Sequence, residues 1–213
     1  MRETREIKTT KDELMHATRF VYESNLIENI NTPVEEIWKK WGQTPMGGHL
    51  EALALATVDA GQKKILTEQM ICEWQKLIIQ EQNFWTLIPE KIIPENEIGR
   101  YRTGGMIVGE KRCIPSGAVI ICMENIIEET HFLQQNNWDS KREIIERIAD
   151  LHFDFLWIHP FVDGNGRTSR ILAWYLFKYF DLKPFIFTSA DKHETYYRAF
   201  DGMREYFIQK SAL

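Results

Sequence analysis

The chain has only three cysteines, Cys72, Cys113 and Cys122, an odd number with no C-x-x-C or other metal-type spacing. That argues against a disulfide-framed secreted domain and a zinc ribbon, and fits reduced thiols in a cytoplasmic protein. No apolar run is long enough to span a membrane, and the opening residues MRETREIKTTKDEL lack the apolar core of a secretory signal. There is no cluster of basic residues, and a net charge of −5 speaks against nucleic acid as a partner. Neither G-x-x-x-x-G-K-[ST] nor H-E-x-x-H occurs. Any phosphate is therefore held without a P-loop, and His152 and His159 do not form a zinc pair. Repeats and low-complexity tracts are also missing.

What is present fits a mostly helical domain. With 213 residues, 44% of them hydrophobic, the chain can bury a sizeable core in one domain or one with a small extension. Thr32-Pro33-Val34-Glu35 and Ser140-Lys141-Arg142-Glu143 read as capping boxes that open helices. Further apolar-periodic segments lie near 47 to 60, 67 to 80, 118 to 136 and 190 to 208. Residues 82 to 99, punctuated by Pro89 and Pro94, read as a loop. Met106-Ile107-Val108 followed by Gly109-Glu110-Lys111 suits a short hairpin within Tyr101 to Pro115. The seven Trp and twelve Phe are assigned to the core, because seven or eight helices need many large side chains.

One stretch, His159 to Arg170, reads HPFVDGNGRTSR. Ile171, Leu172, Tyr175, Leu176 and Tyr179 recur at helical spacing after it, so Arg167 and Arg170 fall in a first helical turn. That is the positive end of the helix dipole, where acidic residues are favoured; two arginines there call for an anion. Gly164 and Gly166 let the backbone approach a ligand and aim N–H groups at it. Residues three apart share a helix face, so both guanidinium groups can fork onto phosphate oxygens. Asp163 supplies the carboxylate that Mg²⁺ takes alongside a substrate's phosphates, and His159 titrates near ~6.5, which suits a general base. Taken singly, each residue has a plainer reading as a turn, a solvated arginine or a core histidine. Together they point to a nucleoside triphosphate beside a base.

The stretch resembles the Fic motif, H-P-F-x-[D/E]-G-N-G-R-x-x-R, at every fixed position. The resemblance extends over roughly residues 11 to 208. Gly99-Arg100-Tyr101-Arg102 with Met106, Ile107, Val108 and Gly109 resembles the family's flap, and Tyr196-Tyr197 resembles its tyrosine pair near the nucleotide base. This implies an all-α Fic fold with a small β-hairpin flap. It also implies transfer of AMP from ATP, with Mg²⁺, to a Ser, Thr or Tyr hydroxyl of a target protein or of the chain itself. By position, His159 is the base and Asp163 the metal ligand. Asn165 with the amides of Gly164 and Gly166 makes the anion hole, and Thr168 and Ser169 fall within the phosphate-binding run. Arg167 meets the α and β phosphates and Arg170 the γ-phosphate. Glycine at 164 and 166, where some relatives carry lysine, places the chain with the AMP-transferring members.

Upstream, Ser24-Asn25-Leu26-Ile27-Glu28-Asn29 resembles the family's inhibitory motif, [S/T]-x-x-x-E-[G/N], in its N-terminal form. Leu14, Thr18, Val21, Asn25 and Glu28 step by four, three, four and three residues, which puts Glu28 on the inward face. An inward carboxylate needs a partner, and the resemblance supplies Arg170. The expected organisation is an N-terminal segment, 1–35, with the inhibitory helix at about 11–29, and a core, 36–213, with the flap at about 100–115. Two other functions stay open: a phosphodiesterase that removes AMP with Glu28 orienting a water, and a non-catalytic nucleotide-binding regulator. Oligomeric state is not legible in the sequence.

Overall fold

The computed structural model describes residues 10–43, 46–109 and 111–192. Seven α-helices lie among them: α1 (Lys11–Ile27), α2 (Val34–Lys39), α3 (Gly48–Gly61), α4 (Glu68–Trp85), α5 (Val119–Gln135), α6 (Lys141–Ile158) and α7 (Asn165–Tyr179). A two-stranded antiparallel hairpin, β1 (Ile107–Val108) and β2 (Lys111–Arg112), pairs Ile107 with Arg112 and Val108 with Lys111 around Gly109 at φ 60°. The all-α expectation with a small hairpin is met. The segment expected as a helix near 190 to 208, with Tyr196 and Tyr197, lies outside the described residues beyond Lys192.

Helix α7 is the central element. Every residue from Arg167 to Phe177 is buried, because α3, α4 and α6 all pack against it. Burying such side chains is worth about 1.5–3 kcal/mol for each large one, so the helix that carries the arginines is also the best anchored. Helix α1 lies across the bundle on α3 and α7 with Phe20, Val21, Ser24, Asn25 and Ile27 inward.

The ends of α1 follow from local chemistry. Thr10 and Glu13 form a reciprocal capping box at its start. At its end Glu28 is the C-cap, and Asn29 takes a left-handed conformation with φ 61°. The Asn29 amide donates to Leu26 O at 3.0 Å and the Ile30 amide to Asn25 O at 2.9 Å, the double return of a Schellman motif. Asn29 thus stops the helix one residue past Glu28, a role in backbone shape.

Three boundaries differ from expectation. Helix α2 starts with Pro33 as N-cap and no side-chain cap bond, so the Thr32–Glu35 box does not form. At α6, Ser140 accepts from the Arg142 amide at 3.2 Å, one position earlier than a capping box uses. Helix α4 runs to Trp85, beyond 80 and into the segment read as loop, since proline does not intervene until Pro89.

Candidate active site

The loop from His159 to Gly164 joins the end of α6 to the start of α7. His159 is the C-cap of α6 with φ 51° and ψ 61°, a left-handed geometry that costs a non-glycine residue on the order of 1–2 kcal/mol. Arg102 offsets that strain. The residue is 4% exposed, and its guanidinium donates to His159 O at 2.7 Å, Ile158 O at 3.1 Å, Ile114 O at 2.7 Å and Gly104 O at 2.7 Å. Its own amide donates to Pro160 O at 2.8 Å. One side chain thus fastens the flap to the histidine loop. Sequence reading placed Arg102 in the flap but gave it no task.

The His159 ring contacts Leu156 O through Nδ1 at 3.3 Å. A carbonyl only accepts, so Nδ1 carries the proton and Nε2 keeps its lone pair. Burial pushes the pKa of His159 below its ordinary value, and the Arg102 charge adds to this. The hydrogen bond to Leu156, Glu28 and Asp163 act in the opposite sense. The neutral, proton-accepting form is therefore favoured at neutral pH.

Gly164 caps α7 at φ 78°, and a Cβ there would come within 3.1 Å of Ile79 Cδ1. The left-handed conformation demands glycine, and the space beside it is tight. Asp163 Oδ1 accepts from the Gly164 amide at 2.5 Å and Oδ2 from Gln82 Nε2 at 2.7 Å. Gln75, fully buried, donates to Asp163 O at 3.1 Å and accepts from the Gly99 amide at 2.6 Å. Neither glutamine was singled out from the sequence, since a polar residue on a helix face carries no signal until its neighbours are known.

Three residues of the phosphate-binding expectation turn away from the site. The Asn165 side chain accepts from the Phe161 amide at 2.9 Å and donates to Phe161 O at 2.8 Å, so both ends of its amide brace the loop. Only its backbone N–H is left for an anion. Ser169 Oγ is fully buried, 2.7 Å from His152 Nδ1 and 3.0 Å from His152 O, and Thr168 is fully buried as well. Successive helix residues diverge by about 100°. Where Arg167 and Arg170 face a ligand, 168 and 169 must face the core.

Among the described residues Arg170 is the second largest fully buried side chain. Its Nε donates to Ser24 Oγ at 2.7 Å, and Nη2 donates to Ser24 O at 3.0 Å and to Glu28 Oε1 at 2.7 Å. The Ser24 to Asn29 segment and Arg170 are thus brought together, 142 residues apart for the ion pair. A Cβ on Gly166 would lie 2.3 Å from Glu28 Oε1 and 3.1 Å from Arg170 Nη1. The carboxylate therefore rests on the first turn of α7, where the free amides and the dipole favour an anion. Arg167, 4% exposed, donates to Gln82 Oε1, and its Nε has no partner among the described residues. A buried donor left open beside two cations and a helix start marks a place for an anionic ligand.

On the α1 side, Asn25 Oδ1 accepts from the buried His49 ring at 2.8 Å, and Trp41 Nε1 donates to Thr18 at 2.8 Å. Burial, with Arg167, Arg170 and Lys40 nearby, holds His49 well below its ordinary pKa, so it meets Asn25 as neutral imidazole. Of the expected flap residues, Ile107 is exposed on β1, Val108 and Met106 are half-buried, and Met106 O accepts from the Cys113 amide at 3.0 Å. No helix among the described residues is long and apolar enough to cross a membrane.

Comparison with known proteins agrees with this fold. Among curated proteins, the chain is 40% identical over 52 residues to protein adenylyltransferase Fic of Nematostella vectensis, 24% of this chain and 12% of that protein. It is 34% identical over 76 residues to protein adenylyltransferase fic-1 of Caenorhabditis elegans, 36% of this chain and 14% of that protein. The matches therefore span about an eighth of those relatives' length. Among solved structures, a Fic domain containing signaling protein from Bacteroides thetaiotaomicron superposes with a TM-score of 0.66 at 22% identity, covering 84% of this chain and 69% of that one. A Fic-1 fragment from C. elegans gives 0.66 at 18%, covering 96% and 64%. The Fic/DOC family model matches residues 65–177, which run from the start of α4 through the glycine-flanked loop to the end of the buried part of α7, more than half of the sequence; the chain belongs to the Fic/DOC family.

Proposed function

We propose that this protein transfers AMP from ATP to a hydroxyl side chain of a target protein, and that Glu28 holds it in an inhibited state. The observation that carries the reading is the Glu28 carboxylate seated over Gly166 and bonded to Arg170, an acidic group in the place a phosphate would take. The curated relatives are named protein adenylyltransferases, which supports the same reaction class.

In this reading the α7 amides around Gly164, Asn165 and Gly166, with Arg167 and Arg170, bind the triphosphate. Nε2 of His159 takes the proton of the target hydroxyl. The oxygen attacks the α-phosphorus, the bond from that phosphorus to the bridging oxygen breaks, and pyrophosphate leaves with its electron pair. Asp163 is the residue that would hold Mg²⁺. Both its oxygens accept one hydrogen bond and keep a lone pair, and a magnesium ion that arrives with a triphosphate needs only one or two carboxylates. Bound there, the ion would neutralise charge on the phosphate oxygens. Glu28 competes with the γ-phosphate for Arg170, so ATP would bind only unproductively while α1 is docked.

The phosphodiesterase reading rests on one observation: Glu28 is 29% exposed and acts electrostatically on His159, a placement from which it could orient water. One experiment separates the two. The wild type and Glu28→Gly are incubated with ATP labelled at the α-phosphate, Mg²⁺ and a lysate. Protein-bound label that rises in the variant supports transfer. No label from either protein, with release of AMP from a modified protein by the wild type alone, would replace this reading by the phosphodiesterase.

A further inference from the structure

Gln82 occupies a position no motif assigns. It lies near the C-terminal end of α4, two turns beyond Gln75 on the same helix face, and reaches the centre of the site. Its Nε2 donates to Asp163 Oδ2 at 2.7 Å, and its Oε1 accepts from Arg167 Nη2. The orientation of this amide is fixed by chemistry. A carboxylate only accepts and a guanidinium only donates, so a flipped amide would set like poles against each other on both sides.

The consequence lies in what the amide prevents. Asp163 and Arg167 carry opposite charges, sit on one loop and helix start four residues apart, and make no direct ion pair among the described residues. Arg167 is nearly fully buried, and its Nε is still without a partner. A buried guanidinium with open donors beside a carboxylate would collapse onto it unless something stood between them. Such a pair would take both groups out of service, because the carboxylate would be neutralised and the guanidinium would spend its fork on the protein.

Building on the adenylyltransferase reading, we infer that Gln82 is a positioning residue that keeps Asp163 and Arg167 apart, so that one stays available to a divalent cation and the other to a phosphate. It acts through these two residues and contacts both at once. The neutral amide satisfies one hydrogen-bonding position on each and leaves the remaining lone pairs and N–H groups open.

The test uses the 213-residue chain with Glu28→Gly and a non-hydrolysable ATP analogue with Mg²⁺, with binding measured by calorimetry. Gln82→Ala should weaken binding about tenfold, since the analogue must first break an Asp163 to Arg167 pair. In an Asp163→Asn background no such pair can form, and Gln82→Ala should then change binding by less than about twofold. An equal loss in both backgrounds, or no loss in either, overturns the inference. A crystal structure of Gln82→Ala without nucleotide gives a readout independent of any activity. It should show the carboxylate and guanidinium within about 4 Å, and finding them still apart overturns the inference whatever the protein transfers. Failure of the adenylyltransferase reading would appear instead as absent label transfer with this binding pattern intact.

Discussion

The C-terminal end of α1 and the N-terminal end of α7 break the same electrostatic preference in opposite senses. Helix α1 ends on Glu28 with no basic residue in its last turn; α7 starts at Asn165 with Arg167 in its first turn, Arg170 in the second rather than the first as expected, and no acidic residue in the first turn. Each arrangement alone costs about 0.3–1 kcal/mol against the helix dipole. Together each supplies the charge the other lacks. The two ends still differ in solvent access: the Arg170 side chain is 1% exposed and that of Glu28 is 29% exposed. A buried cation must keep an anion near it, whereas a half-exposed carboxylate can return to water at modest cost. The α7 end is therefore a standing demand for negative charge, and Glu28 is an exchangeable answer to it.

The largest effect should come from the base, once the α1 carboxylate is gone. In the Glu28→Gly background, His159→Ala should lower transfer by ~10²–10⁴-fold with nucleotide binding nearly unchanged, as seen in single-turnover assays. Transfer at the parent rate would remove His159 from its role.

Next is the exchange itself. Glu28→Gly should raise transfer about a hundredfold, which corresponds to ~2.8 kcal/mol of bias against productive ATP binding. Glu28→Gln should activate less, because a side chain of the same shape still lies over Gly166. If both variants transfer at the wild-type rate with a competent target and saturating ATP, Glu28 is not inhibitory.

A third measurement sharpens the contrast in burial. Arg170→Met keeps the buried stem and leaves a half-exposed carboxylate free to return to water, whereas Glu28→Gly leaves a buried cation without its anion, so in urea unfolding without nucleotide Glu28→Gly should cost roughly 1–3 kcal/mol more. Equal destabilisation by the two would mean that the ends are alike and the asymmetry is only apparent. Ser169→Ala, at a motif position turned from the site, should lower stability by about 1–3 kcal/mol and leave nucleotide binding intact. A loss of binding without a loss of stability would return Ser169 to the phosphates.

The smallest effects are in pH. Burial keeps the His159 cation unfavourable, so the acid limb of transfer should lie below the ordinary histidine value of 6.5. A limb above that value would contradict the site's electrostatics. His152 is lowered by burial from 6.5 to about 3. Between those values only the unfolded chain takes the proton. Its contribution to stability is complete above pH 6.5 and declines by ~1.4 kcal/mol per unit as pH falls toward 3. His152→Phe should make urea midpoints less sensitive to pH across that window, and an unchanged slope would mean that other groups carry it.

Much of the architecture was legible because helix periodicity and caps are local. The segments near 47 to 60 and 118 to 136 became α3 and α5 within about two residues, and the phase of α1 put Thr18, Val21 and Asn25 inside as read. The Thr32 box failed because a capping pattern is only an offer of hydrogen bonds, and the chain at Pro33 does not take it up. In the motif, residue types indicated an anion cradle without indicating which side chains enter it. Asn165, Thr168 and Ser169 share a twelve-residue string with His159 and Arg170, yet their side chains brace the loop or lie in the core.

What the sequence determined by itself is the set of local conflicts: arginines near a positive helix end and an inward carboxylate at a negative one. These are readable because dipole and phase act within a few residues. Only the tertiary structure decided how the conflicts resolve. Glu28 meets Arg170 across 142 residues, Arg102 reaches 57 residues ahead to hold His159, and Gln82 stands between Asp163 and Arg167 from 81 and 85 residues away. Long-range pairings depend on the packing of whole helices. No spacing along the chain encodes them.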